Sequence, residues 1–329
     1  MSYWSGKRVL VTGCTGFVGG WLTERLVDEG AVVSGLIWEE DRDAHFFRAG
    51  LGRRINCVPG DIRDLTLLTK TLADGEIDTV FHLAAQAIVT KARISPLETY
   101  ETNTMGTWAL LEAARASASL RRIVVASTDK VYGDQEELPY RESTPIRAIN
   151  PYDVSKASAD LIAHSYAETY GFPLAVIRCG NIYGGGDLNF DRLIPGTIRA
   201  VLQNEHVLVR SDGTCTRDYL YVDDAVDAYL MLAQALDQDE FHGEAFNFGN
   251  ERPFTVLEIV DKILAMMGRQ DLKPVVQNVA TAEIQHQYLS ASKAMDRLGW
   301  SPAHDLESGL GKTIPWYEAL PSEKVRKAA

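Results

Sequence analysis

Six short apolar runs punctuate the first 180 residues: 7–13 (KRVLVTG), 31–37 (AVVSGLI), 55–60 (INCVPG), 79–85 (TVFHLAA), 122–127 (RIVVAS) and 174–180 (LAVIRCG). Each is too continuously apolar to leave one face in water, the pattern of a parallel strand covered on both sides. Stretches with helical spacing lie between them, such as 20–30 (GWLTERLVDEG) and 103–117 (NTMGTWALLEAARAS). Strand and helix in alternation predict a doubly wound α/β sheet with right-handed crossovers.

After about residue 180 the rhythm changes. Residues 181–196 (NIYGGGDLNFDRLIPG) are rich in glycine and turn formers and read as a long functional loop. Beyond it the pattern predicts a helix over 192–205, a hairpin over 206–222, and helices over 223–236 and 255–268. The resulting division is a first domain of residues 1–180 with returning segments at about 218–250, and a smaller C-terminal α/β lobe of residues 181–217 and 251–329. No internal repeat interrupts it, and the final SEKVRKAA (322–329) reads as a solvated tail.

Composition narrows the function classes. Hydrophobic residues at 46% and charged residues at 24% are ordinary for a globular protein. Thirty-three Lys and Arg against 45 Asp and Glu leave a net charge of −12, which disfavours nucleic acid and anionic membrane surfaces but permits a local basic pocket for a phosphate. Cys14, Cys57, Cys179 and Cys215 form no CxxC pair, so neither a disulfide framework nor a zinc site is expected, and reduced thiols are. The N-terminal MSYWSGKRVL has no long apolar core, and no run approaches the roughly 18 apolar residues of a membrane span. The expectation is a soluble cytoplasmic protein without a bound metal.

The first strand runs into TGCTGFVGG, placing Gly13, Gly16 and Gly19 in a GxxGxxG pattern that opens a helix. Glycines there let the backbone turn sharply and let a pyrophosphate approach the helix N-terminal amides. An acid ending the second strand binds adenosine ribose hydroxyls and repels the extra phosphate of NADP. Here the acids come slightly late, as Glu39, Glu40 and Asp41, so NAD is expected, with Arg42 leaving NADP open. Asp61 follows the third strand in GDIRD, and HLAAQ (82–86) ends the fourth, with short side chains that allow close packing on adenine and pyrophosphate.

Tyr152 and Lys156 in NPYDVSKASAD are spaced i, i+4, on one helix face. A tyrosine is a poor base at neutral pH, but a nearby ammonium and an oxidised nicotinamide both stabilise its phenolate. The pair then takes a proton from a hydroxyl while hydride leaves the carbon. Upstream, VVASTDKVYG (124–133) runs a valine-rich strand into Thr128, Asp129 and Lys130, three groups that handle protons.

These segments together resemble the extended short-chain dehydrogenase/reductase family, nucleotide-sugar branch: VTGCTGFVGG, DIRD, HLAAQ, TNTMGT, STDKVYG, YDVSK, RCGNIYGGG and RDYLYVDD occur in its order over essentially the whole chain. The resemblance implies a Rossmann-type nucleotide-binding domain with a small C-terminal sugar-nucleotide domain, and a homodimer built through a four-helix bundle of the helices around 96–117 and 152–170. Thr128 would hydrogen-bond the substrate hydroxyl, Tyr152 would be the base, and Lys156 would tune it and bind ribose. The cofactor would be held by the glycine turn with Thr15, Phe17 and Val18, by Asp61 and Ile62, by Leu83, Ala84, Ala85 and Gln86, and by Asn103. Substrate contacts would fall to Gln86, Asn181, Arg192 and Arg217. Arg199 is a further candidate for the substrate's phosphates.

Within the branch, Asp129 and Lys130 after the threonine resemble the 4,6-dehydratases of the CDP-glucose subgroup. There Asp129 would protonate the leaving hydroxyl, and Lys130 would either take part in carbon-5 proton transfer or orient the acid. A 4-epimerase only oxidises, rotates and re-reduces a hexose, and generally carries small neutral residues at these positions. The C-terminal GTCTRDYLYVDD and GEAFNFGNERPFTVLEIV are closer to epimerases and other dehydratases, so the nucleotide base stays open and the 4-epimerase is the alternative. A non-catalytic dinucleotide sensor is the remaining class, opposed by the intact Thr128, Tyr152 and Lys156.

Overall fold

The computed structural model describes residues 2–279 and 284–321. In chain order the main elements are β1 (Arg8–Thr12), α1 (Phe17–Asp28), β2 (Val32–Ile37), α2 (His45–Arg48), β3 (Asn56–Pro59), α3 (Leu65–Asp74) and β4 (Thr79–His82). Next come α4 (Val89–Ile94), α5 (Pro96–Tyr100), a π-helical turn (Glu101–Met105), α6 (Gly106–Arg115), β5 (Arg122–Ala126), α7 (Pro151–Tyr170) and β6 (Leu174–Cys179). The remainder comprises β7 (Asn181–Tyr183), α8 (Leu193–Leu202), β8 (Leu208–Val209), β9 (Thr216–Arg217), β10 (Tyr219–Tyr221), α9 (Val222–Ala235), β11 (Ala245–Phe248), β12 (Phe254–Thr255), α10 (Val256–Met266), β13 (Val275–Val276), β14 (His286–Gln287), α11 (Ser292–Leu298) and α12 (Leu306–Glu318).

Seven strands form one sheet in the order β11-β6-β5-β4-β1-β2-β3, and every pair is parallel. The six predicted runs supply six of them and β11 returns from the C-terminal half. Alternation along each strand sends side chains to opposite faces, and both are covered except at the edge strand β3, where Asn56, Cys57 and Pro59 are exposed, so this run is not buried on both sides as its sequence suggests. Val9, Val11, Phe81, Val124, Ala175 and Ile177 pack toward α1 and α9, in a cluster with Leu22, Leu26 and Tyr229. Leu10, Val80, Ile123, Val125, Leu174 and Val176 pack toward α3, α6 and α7, with Leu68, Leu110 and Ala163. Strand order reverses between β1 and β4, and the crevice that opens at such a reversal, beyond the carboxyl ends of the strands, is where ligands bind in this architecture.

The C-terminal part builds two further clusters. One centres on Tyr183, Ile198, Tyr221, Ile263, Leu310 and Tyr317, the other on Val201, Val209, Val260 and Leu264. Helix α10 starts with a reciprocal cap, Glu258 N–H donating to Thr255 Oγ1 at 3.1 Å and Thr255 N–H to Glu258 Oε2 at 2.7 Å.

The hairpin expected over 206–222 does not form. Strand β8 pairs with β13, β9 lies between β12 and β14, and β10 pairs with β7. The reason lies in the turn after β8: Asp212 accepts the Thr214 N–H at 2.8 Å, and the amides of Leu257 and Val256 bond the carbonyls of Gly213 and Cys215. The segment therefore docks on the start of α10 instead of folding back on itself. The helix expected over 103–117 begins in the π turn at 101–105 and continues as α6 to Arg115, and the proposed tail at 322–329 lies outside the described residues. Among the described residues, no helix is long and apolar enough to cross a membrane.

Phe81 is fully buried at the sheet centre, 5.7 Å from the Trp4 ring and 6.4 Å from Tyr229. Phe81→Ala is expected to cost about 3–5 kcal/mol of stability, read from urea unfolding; a loss below about 1 kcal/mol would show that this contact does not anchor the sheet.

Candidate active site

The turn after β1 is dictated by backbone proximity. Gly13 sits at φ +76, and a Cβ there would lie 2.7 Å from the Ala84 nitrogen; one on Gly19 would lie 2.1 Å from the Gly13 carbonyl oxygen. Neither position tolerates a side chain, so β1, the start of α1 and the end of β4 meet by main chain alone. Gly16 caps α1 without a side-chain hydrogen bond, and the first turn carries no acid. The helix N-terminal amides and dipole are thereby left for an anionic ligand.

A groove of about 400 Å³ opens here. Gly13, Thr15, Gly16, Phe17, Val18 and Gly19 form one wall. Asp61 and Ile62 after β3, and Leu83, Ala84 and Ala85 after β4, form the floor, while Tyr152, Lys156 and Arg192 close the far end. The cradle fits a dinucleotide: glycine main chain at the pyrophosphate position, small residues beside it, and proton-handling groups where a nicotinamide would end.

At the other end, Glu39 and Trp38 line the groove and Arg63 stands 6.0 Å over the Trp38 ring. Asp61 takes hydrogen bonds from Arg63 Nε at 2.8 Å and its own backbone N–H partner Arg63 at 2.9 Å, and Glu101 holds Nη1 at 2.9 Å. The arginine holds Asp61 below the usual carboxylate range. With Arg63 bound to two carboxylates and Glu39 alongside, this end disfavours an additional phosphate.

The crevice is braced from beneath by His82, which burial holds neutral at a pKa of about 3, with the Lys156 charge acting in the same direction. The Thr107 hydroxyl donates to the Asn103 carbonyl, so it accepts from His82 Nε2 (2.9 Å), and His82 Nδ1 accepts from Thr12 (2.8 Å). Thr12 Oγ1 in turn accepts the Ala84 N–H at 3.2 Å.

At the reactive end, β5 delivers Thr128 in extended conformation, followed by a 3₁₀ turn over Asp129–Tyr132. The Thr128 hydroxyl donates to Asp129 Oδ1 at 3.0 Å, and Lys130 Nζ lies 3.3 Å from the same oxygen. Asp129 is 1% exposed and its Oδ2 has no hydrogen-bond partner among the described residues. Tyr152 is pushed up to about 12, first by burial and then by Asp129 and Asp153, against the pull of Arg192 and Thr128. Lys156, which donates to the Ala126 carbonyl, is brought down to about 8 by burial, with Asp160 opposing. In the free protein the ammonium therefore loses its proton before the phenol, and additional positive charge in the groove is what brings Tyr152 toward phenolate.

Several predicted residues stand back from the groove. The Gln86 side chain bonds Ile88 and Thr99, and its backbone pairs with the Asn103 side chain, which also donates to Ser155. These two staple the end of β4 to the π turn and α7. Asn181 Oδ1 accepts from Lys130 Nζ at 3.4 Å, beside the reactive end. Arg192, in the groove, pairs with buried Asp187 at 2.9 Å. Arg199 stacks its guanidinium on Phe190 at 4.5 Å, on α8. Arg217 lies in the C-terminal sheet, donating to the Thr216 carbonyl at 2.8 Å. Groove residues that sequence reasoning passed over include Arg63, Thr102, Ser127 and Tyr229. Ser127 had a signal, as neighbour of Thr128 at a strand end, and Thr102 sits in the π turn; Tyr229, on α9, had none.

A glycine-walled crevice at the strand-order reversal, with a phenol and an ammonium one helical turn apart at its end, defines a dinucleotide-binding protein of the short-chain dehydrogenase/reductase class. The chain belongs to the GDP-mannose 4,6-dehydratase family, whose model matches residues 10–313. It is 35% identical to a CDP-glucose 4,6-dehydratase of Salmonella typhimurium, over 97% of this chain and 92% of that one. Among solved structures it is similar to a dTDP-glucose 4,6-dehydratase of Streptomyces venezuelae with NAD bound (29% identity, TM-score 0.84, 94% of this chain and 97% of that one). It is also similar to a UDP-glucose 4-epimerase of Thermotoga maritima with UDP-glucose (29% identity, TM-score 0.86, 94% and 98%).

The Lys156 shift has a measurable consequence. The unfolded chain holds this proton up to the ordinary 10.5 and the folded protein only to about 8, so between these values folding releases a proton and stability rises with pH. Lys156→Met lacks that gain. Urea unfolding at pH 7 and pH 10.5 is expected to move the difference between the proteins by about 3 kcal/mol in favour of wild type; a difference constant with pH would contradict the buried ammonium.

Proposed function

We propose that the chain is an NAD-dependent nucleotide-hexose 4,6-dehydratase that forms a 4-keto-6-deoxy sugar nucleotide. The observation that carries this reading is Asp129: a carboxyl buried against Thr128, with one oxygen unpartnered, beside the base candidate Tyr152. Simple epimerisation has no use for a second proton donor there. Elimination across carbons 5 and 6 does.

Tyr152 takes the proton of the carbon-4 hydroxyl, held by Thr128. The glycine turn, Tyr152 and Lys156 would hold the nicotinamide cofactor, which would supply a reversible hydride acceptor for carbons 4 and 6. The new ketone acidifies the carbon-5 proton, which Lys130, 3.3 Å from Asp129 and 3.4 Å from Asn181, takes up; Asp129, entering protonated, gives its proton to the carbon-6 hydroxyl, which leaves as water, and Lys130 returns a proton to carbon 5 as hydride arrives at carbon 6. The similarity to the CDP-glucose and dTDP-glucose 4,6-dehydratases supports the nucleotide-hexose substrate, and the acidic adenosine end of the groove supports NAD over NADP.

In this reading residues 1–180 with about 218–250 hold the dinucleotide, and 181–217 with 251–329 hold the sugar nucleotide, Arg192 and Arg217 meeting its phosphates. A second copy packs against α5, α6 and α7, where Leu97, Trp108 and Leu161 are exposed apolar residues, and the compartment is the cytoplasm. The second reading is a nucleotide-sugar 4-epimerase, favoured by the likeness to the Thermotoga enzyme.

Asp129→Asn separates them. Carbon-4 oxidation is expected to survive while turnover to product falls about 10²–10⁴-fold, so that reduced nicotinamide accumulates in a stopped-flow absorbance trace. If the absorbance never rises, Asp129 serves binding or folding and the dehydratase assignment loses its main support.

A further inference from the structure

Behind the reactive end lies a buried ion pair that the mechanism above does not use. Asp160 on α7 and Arg178 on β6 are 2% and 6% exposed and meet through two hydrogen bonds, Nε to Oδ2 and Nη2 to Oδ1, both 2.8 Å. Ser127 donates to Asp160 Oδ2 at 2.8 Å, and Arg178 Nη1 donates to the Tyr132 hydroxyl at 2.9 Å. Tyr132 then donates to Asn247 of β11 at 2.7 Å. Ser127 directly precedes Thr128, Tyr132 ends the turn that starts at Asp129, and Asp160 sits one helical turn beyond Lys156.

We propose that Asp160, locked by Arg178, is a positioning residue for this reaction: it ties the Thr128–Lys130 segment to the helix bearing Tyr152 and Lys156, and supplies the negative charge that acts on the Lys156 ammonium. The proposal rests on the reading of Tyr152 and Lys156 as base and tuning cation. An ion pair of this burial loses several kcal/mol of hydration, and packing alone is served as well by apolar residues. Its hydrogen bonds instead reach both halves of the reactive set. Around Lys156 stand Tyr152 on its own helix, neutral His82 of β4, the Ala126 carbonyl of β5, Tyr229 of α9, and Arg192 across the groove, with Asp129, itself paired to Lys130, and Asp153 acting on Tyr152. Asp160 is the charge that opposes the desolvation of Lys156.

The test is Asp160→Asn in the full chain, with the Lys156 titration followed by NMR on protein labelled at lysine Cε, without substrate. The midpoint is expected to fall by about one pH unit, and the alkaline limb of kcat by the same amount, with KM for the sugar nucleotide within about twofold. Ser127→Ala, which cuts one arm and leaves the charge, is expected to lower kcat about tenfold and leave the midpoint in place. Should Asp160→Asn not fold, the pair Asp160→Leu with Arg178→Met removes both charges at similar volume, and a smaller fall of the midpoint in the same direction is expected, because the Arg178 charge goes with it. An unmoved midpoint and alkaline limb in the folded variant would overturn the proposal. If the wild type turns over no nucleotide sugar, the functional reading fails while the titration still decides the role of Asp160.

Discussion

The structure depends on a contact between backbones. Where β1 ends, the chain must turn into α1 and also lie against the end of β4, and the space at Gly13 and Gly19 admits no Cβ. That closeness opens the crevice at the strand-order reversal and leaves the first amides of α1 uncapped. The Thr12–His82–Thr107 chain holds the same two strands in register from below, and burial keeps His82 neutral, so this residue adds no charge under the cofactor cradle. The site begins as a consequence of close packing, to which polar groups are then added.

Electrostatics does the second part. Tyr152 and Lys156 share a helix face, yet burial moves them in opposite directions, the phenol up and the ammonium down. The free protein is thus set against the phenolate–ammonium form of the pair. Groups around the pair correct this from two sides: Arg192 across the groove favours phenolate, and Asp160 behind the helix favours ammonium. Asp129 acts the other way, holding the phenol protonated, while its own Oδ2 has no hydrogen-bond partner among the described residues.

Five of the seven sheet strands were legible because burial on both faces leaves unbroken apolar runs, β3 was legible from its run although it is an exposed edge, and the glycine turn was legible because its spacing follows from contact geometry. Tyr152 and Lys156 were legible as an i, i+4 pair. The strands of the C-terminal part were not, since β8, β9 and β12 to β14 have two residues each, too few for any period, and find partners some 40 to 70 positions away, which the hairpin expected over 206–222 could not anticipate. Polar residues near the site posed a different problem. Gln86 and Asn103 stand at motif positions beside the groove, but their amides bond main chain and neighbouring side chains, and residue type does not reveal which way an amide points. The Asp160–Arg178 pair joins a helix to a strand that a sequence pattern treats as ordinary core, and Tyr229 enters the groove from an element 77 residues beyond Tyr152 in the chain.

The account centres on loss of water, so the most direct measurement is the product formed from CDP-, UDP-, GDP- and dTDP-glucose in deuterated water, read by mass and NMR. It predicts that one of them loses a single water and gains one solvent deuterium at carbon 5, with hydride returned to carbon 6. A product of unchanged mass, inverted at carbon 4 and free of solvent deuterium, would contradict it and make the chain an epimerase.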